Sequence, residues 1–239
     1  MTQKNLWVVP WIAGLALALA GCGVPTETHS SGPVRHSSES VELDKAELTR
    51  VELRMGAGEL LVSGGASKLL EADFAYGDLA NKPIIKTSTS SFRSQVSIEQ
   101  PPGMTGGNRE YQWKLRLNNA QPLDFSTHLG AGNAEMNLGS LTLRSVEVHM
   151  GVGNLEMDLR GAPKRDYNVE IHGGVGNAEI RLPKDVGIEA RASGGIGSID
   201  VHGLEKRGGV WINPDHENAS VTIHLDISGG VGQIDLRTQ

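Results

Sequence analysis

The sequence predicts an all-β fold: a single-domain, β-solenoid-like stack of strand–Gly-x-Gly–strand repeats. Three observations predict it. A Gly-x-Gly motif recurs six times, at 56–58, 130–132, 151–153, 174–176, 195–197 and 230–232. Apolar and polar residues alternate on either side of each copy, the period-two signature of a strand with one face inward. No apolar stripe of helical period stands out beyond residue 40, so helix is expected to be close to absent.

The spacing carries the argument for a stack. The second glycines of four successive motifs, Gly132, Gly153, Gly176 and Gly197, lie 21, 23 and 21 residues apart, and the step to Gly232 is 35. A fixed period in the twenties suits one coil that turns once and settles on the coil before it. Before each motif the apolar residues keep one parity, as in Val146/Val148, Val169/Ile171 and Ile223/Leu225. After it they recur as Met136/Leu138, Met157/Leu159, Ile180/Leu182 and Ile234/Leu236. Each unit therefore reads as two strands joined by a bend, with glycine supplying positive φ or close backbone approach at the corner. Earlier alternations at Val41–Leu43, Val51–Leu53, Val96–Ile98 and Trp113–Leu117 read as further strands.

The N-terminus is expected to lie outside this fold. Lys4 precedes an apolar run from Leu6 to Ala20, too short for a stable spanning helix and typical of a secretory signal. Leu19-Ala20-Gly21-Cys22 resembles the lipobox of bacterial lipoproteins, which implies cleavage before Cys22 and lipidation of its thiol. The expected division is a signal peptide over 1–21, a lipidated cysteine and flexible tether over 22–40 rich in Ser, Thr, Pro and Gly, and the β domain over 41–239. Cys22 is the single cysteine, so the mature chain can form no internal disulfide. Loss of Lys4 with the signal takes the formal charge from −6 to −7. A mildly acidic chain is a poor partner for nucleic acid or an anionic lipid surface, and membrane contact is expected through the lipid.

The segment Gly130–Leu236 resembles the toastrack domain of bacterial envelope proteins, including the C-terminal region of the cell-wall-active-antibiotics-response family. The likeness rests on Asn177-Ala-Glu-Ile-Arg-Leu-Pro183 leading into Val186-Gly-Ile188. It rests also on Gly197-Ser-Ile-Asp-Val201 with Gly203-Leu204, and on Trp211-Ile-Asn-Pro214 followed by Val221 to Gly232. It implies a right-handed solenoid-like fold and an adhesin-like or envelope-stress role. Well-known members carry transmembrane helices, where this chain has a lipid-anchor signal. Gly23 is not the aspartate that resembles an inner-membrane retention signal, which implies outer-membrane sorting, facing the periplasm, in a Gram-negative host.

Stacked coils turn equivalent outward positions into ladders about 4.8 Å apart. One ladder holds His128, His149 and His172, continued by Ser193 and Ser228. A second holds Glu135, Glu156, Glu179, Asp200 and Asp235. A third holds Asn133, Asn154, Asn177, Ser198 and Gln233. The amide ladder is expected to bond up the stack and cap the corner. The acidic ladder is either a solvated face with raised pKa values in its middle or a surface that collects cations. The histidines could pair on Zn²⁺ or sense acid, but no further ligand is placed beside them, so no metal site is assigned.

Catalysis finds no support, and no cofactor is implied. The Gly-x-Gly copies lack Gly-x-Gly-x-x-Gly and open no helix, and neither Gly-x-Ser-x-Gly nor His-Glu-x-x-His occurs. Trp211 is read as a plug where the repeat is irregular or, if exposed, as a binding anchor. Pro101-Pro-Gly and Thr105-Gly-Gly-Asn108 mark a mobile loop. The expected role is a non-catalytic module for an envelope protein or glycan. The rival is self-assembly through open stack ends, since the chain stops at Leu236–Gln239 with no evident cap.

Overall fold

Six long strands carry the architecture, each bent once at its Gly-x-Gly. In the computed structural model, which describes residues 33–90, 92–102, 111–214 and 216–239, they are β2 (Leu48–Gly64), β7 (Leu123–Asn137), β8 (Leu143–Asp158), β9 (Tyr167–Leu182), β10 (Gly187–His202) and β13 (Thr222–Thr238). Seven shorter strands complete one open sheet: β1 (Arg35–Val41), β3 (Leu70–Tyr76), β4 (Ile84–Thr89), β5 (Arg93–Glu99), β6 (Gln112–Leu117), β11 (Glu205–Arg207) and β12 (Val210–Ile212). Helix among the described residues is limited to two three-residue 3-10 turns, Leu79–Asn81 and His216–Asn218.

The long strands run parallel and in register through the bend, with one slip at Leu123/Asp124 where β7 meets β8. Gly58 pairs with Gly132, Gly132 with Gly153, and Gly153 with Gly176. The second glycine of every motif has positive φ, from 135° at Gly132 to 148° at Gly58. The early Gly56-Ala57-Gly58 is thus the first full coil. The inward columns form one core that runs the length of the stack, with Val51, Phe125, Val146, Val169 and Leu225 on one arm and Leu60, Met136, Met157, Ile180 and Leu236 on the other.

The order of coils differs from the order of repeats. The stack reads β2-β7-β8-β9-β13-β10, so the last strand of the chain lies between β9 and β10. Serial stacking, as read from the period, holds up to β9 and fails there. The 35-residue step is the reason: β10 leaves one slot vacant, β11 and β12 turn back beside it, and β13 fills the gap in parallel. The chain end therefore belongs to an interior strand and is no open edge. The exposed end of the stack is β10.

The opposite end is closed by the irregular region between coils. β5 pairs with the first arm of β2 and β6 with the second. β4 extends β5, and β3 followed by β1 extends β6. Trp113 and Phe74 pack edge-to-face at 5.7 Å in this cap, both fully buried.

Two boundaries shift. The tether expected over 22–40 gives way to strand at Arg35, because residues 35–41 find the free edge of β3. Residues 42–47 then leave the sheet: Asp44 Oδ1 accepts the Ala46 N–H at 2.9 Å, and Leu43, expected in a strand, is exposed. The signal peptide and Cys22 lie outside the described residues, as does most of the loop expected around 101–108. Asn213, in the motif that carries part of the family resemblance, is buried. Its amide oxygen accepts the Ile188 N–H at 2.8 Å, and its NH2 donates to the Val186 carbonyl at 2.7 Å, pinning the start of β10.

Candidate functional site

The histidine ladder forms on the outer face of the first arm. Parallel pairing puts His128 beside His149 and His149 beside His172. Their rings stack at centroid distances of 4.7 and 4.9 Å, with interplanar angles of 4° and 23°. The ring edges are held from both sides. His149 Nε2 lies 2.7 Å from Glu147 Oε1, and His172 Nδ1 lies 2.7 Å from the Ser228 hydroxyl. Ser228 follows His172 in the stack and Ser193 is last, the reverse of chain order. A shallow trough beside the ladder is lined by Gly130, Gly151 and Gly174 together with Arg54 and Gln100.

Sequence reasoning missed the carboxylate beside the ladder, although Glu147 and Glu170 sit two residues before His149 and His172, the spacing that shares a strand face. Glu147 is held below its ordinary range by the hydrogen bond from His149. His128 is pushed below the ordinary imidazole value of 6.5, first by burial and then by the neighbouring His149. Its folded form therefore resists a proton that the unfolded chain accepts. Stability from this source is complete above pH 6.5 and is lost as pH falls through 6.5 toward the lower folded value. The variant His128→Gln is expected to flatten that decline. Urea unfolding at pH 7 and pH 5 checks it: equal pH slopes for variant and parent would refute the assignment.

The acidic ladder is stacked as Glu135, Glu156, Glu179, Asp235 and Asp200. It is not the bare row that its sequence column suggested. Arg181 donates to Glu179 at 3.0 Å and reaches Glu156 at 3.6 Å, and Arg237 holds Asp235 at 2.6 Å. Asn137 donates to Glu135 at 3.1 Å, and Gln233 donates to Asp200 at 2.9 Å. The raised pKa expected within the row is reversed at Asp235, which its hydrogen bond with Arg237 pulls down. These paired carboxylates lack the convergent, unoccupied oxygens that a Ca²⁺ site uses. Among the described residues no cluster of three or more His, Cys, Asp or Glu has metal-holding geometry.

The amide ladder caps the corner in part as expected. Asn154 donates to Asn133 Oδ1 at 3.2 Å, while Asn177 Oδ1 accepts the Gln233 backbone N–H at 3.2 Å. Trp211 is half-buried against the core, with Lys206 Nζ 5.2 Å above its ring, so it is neither a full plug nor a free anchor.

A second feature escaped the sequence reading. Inside the bend, Met55, Leu129 and Met150 fill the corner of the first three coils, and the aligned positions of the last three are Gly173, Gly229 and Gly194. The result is an apolar groove lined by Leu155, Ile171, Ala178, Ile227 and Ile234. The glycine column is visible in the sequence, but its meaning depends on which coil lies against which.

Comparison with known proteins settles the family. Residues 30–181 match the N-terminal domain of toast_rack, and residues 131–236 match the C-terminal domain of the cell wall-active antibiotics response protein LiaF. The chain belongs to the toast-rack family. Among solved structures, a candidate cell adhesion protein from Clostridium sporogenes is similar at 30% identity and a TM-score of 0.84, over 87% of this chain and 100% of that one. A candidate adhesin from Bacteroides fragilis aligns at 12% identity and a TM-score of 0.34 over 85% of this chain and 97% of that one, too slight a likeness to argue from. No curated protein matches the sequence. In this toast-rack chain no helix among the described residues is long and apolar enough to cross a membrane.

Proposed function

We propose that this chain is a lipid-anchored, non-catalytic interaction module of the cell envelope, adhesin-like in action and linked to the response to envelope stress. Cys22 carries the lipid, and the segment after it gives reach. The stacked domain displays its ladders to an envelope protein or a glycan, at the outer membrane in a Gram-negative host. One observation carries the reading: three imidazoles stand in register beside Glu147 along an open trough. A row of donors and acceptors repeating at strand spacing suits an extended partner that offers its own groups at regular intervals. The adhesion protein that resembles this chain, and the match to the antibiotics-response domain, support the envelope setting.

Photo-crosslinking in living cells tests it. Photo-reactive residues replace His149 and, on the other arm, Glu156, and captured material is identified by mass spectrometry. A single envelope protein or glycan captured from position 149 and not from 156 is the expected result. Equal capture from both positions, or capture of nothing from 149, would overturn the assignment of the face.

A further inference from the structure

Five of the six long strands have neighbours along both edges. β2 is covered by β5 and β6 on the side away from β7, and the strands from β7 to β13 lie between other coils. β10 is the exception. Its inner edge pairs with β13, but on its outer edge β12 reaches only Glu189 and Ala190. From Arg191 to His202 that edge has no strand beside it among the described residues. The core opens here too: Ile234 is buried in β13, whereas its paired neighbour Ile199 in β10 is 37% exposed. Solenoids need a cap at each end, and a bare edge of this length is a template for another strand.

The bare segment is complementary to itself in reverse. An antiparallel approach that sets Arg191 opposite Asp200 also sets Ser193 opposite Ser198, Ala192 opposite Ile199, and Gly195 opposite Ile196. Arg191, Ser193, Ser198 and Asp200 all stand on the outward face, and Ala192 and Ile199 on the inward one, so each residue meets a partner on its own side. Opposite charges meet, and small residues meet large ones, as favourable cross-strand pairs do. The span Arg191–Asp200 lies within the stretch that β12 leaves open, with the Gly195-Ile196-Gly197 bend at its centre, so two bent strands can follow each other.

We propose that β10 of a second copy covers this edge, giving a closed two-fold dimer in which the two stacks meet end to end. A two-fold contact of this kind uses each edge once and stops, whereas a head-to-tail contact would grow into a fibre. The proposal stands apart from the ladder reading, because His128, His149 and His172 lie on β7, β8 and β9.

Engineered cysteines in the full chain test it in cells. Paired antiparallel residues have Cα atoms about 4.5–5.5 Å apart, within disulfide reach. The double variant Ser193→Cys/Ser198→Cys is therefore expected to run as a covalent dimer without reductant, and Ser193→Cys alone as a monomer, because Ser193 faces Ser198 of the other copy. Sedimentation of the full chain in detergent supplies the second readout. Arg191→Asp puts like charges together twice in each dimer and is expected to weaken association about tenfold. Arg191→Asp/Asp200→Arg is expected to restore it, which a mere folding defect would not allow. A monomer at every concentration, equal crosslinking by the single cysteine, or masses that grow beyond the dimer would overturn the proposal.

Discussion

Gly176→Ala is expected to cost at least about 4 kcal/mol, the size reserved for substitutions that leave the backbone no room. Gly176 has φ +141°, where L side chains are strained, and a Cβ built there would lie 1.6 Å from the carbonyl oxygen of Gly153 on β8. The oxygen belongs to backbone locked in register on both sides, so it has no path of retreat. The same geometry recurs up the stack, with Gly132, Gly153, Gly232 and Gly197 each aimed at the carbonyl of the coil before. The control is three residues away. Gly173 has no positive φ, and its Cβ would meet nothing nearer than the Ser228 carbonyl at 3.9 Å. Gly173→Ala is therefore expected to change stability by no more than about 0.5 kcal/mol. Thermal unfolding of both variants checks the pair, with a fall in Tm of about 8–16 °C for the first at this chain length. Similar melting of the two would show that the corner glycines are not sterically required.

Deleting residues 221–239 is expected to remove the order of two coils rather than one. In a serial solenoid the last repeat touches only its predecessor, and its loss trims the stack by one unit. Here the last strand lies inside. β13 pairs with β9 on one edge and β10 on the other, and it buries Ile223, Leu225, Ile227, Ile234 and Leu236. At about 1.5–3 kcal/mol per buried side chain, those five contribute on the order of 10 kcal/mol, comparable with the net stability of a whole domain. Without them β10 keeps only its two-residue pairing with β12 and the Asn213 contacts at its start. Hydrogen exchange read by mass spectrometry on the truncated chain is expected to show amides 187–202 unprotected while β7 and β8 stay protected. Protection retained across β10 would mean that the strand order is not β9-β13-β10.

The repeats were legible because a period-two pattern and a glycine that only a tight bend demands are both local. Val169, Ile171, Ile180 and Leu182 announce one coil by themselves, and the recurrence of the motif announces the stack. The resemblance around Asn177–Pro183 and Trp211–Pro214 named the family that the comparisons then showed. The columns His128/His149/His172 and Glu135/Glu156/Glu179 could be aligned from the sequence because the first coils follow one another in space as they do in the chain.

What surrounds those columns is a matter of distance across the fold. The partners of the acidic row could not be read from the column alone: whether Arg181 serves Glu179 only or also Glu156 depends on how the rows pack. The strand at Arg35–Val41 carries almost no apolar pattern and forms because β3 offers it a free edge. Local sequence thus determined the bend, the arms and the register of each coil, since backbone sterics and alternation act within a few residues. Only the tertiary structure decided the slot each coil occupies, because β13 fits equally well by pattern at the end of the stack or within it. The gap left between β9 and β10 exists only once the chain has folded, and it is what leaves β10, rather than the chain end, as the open edge.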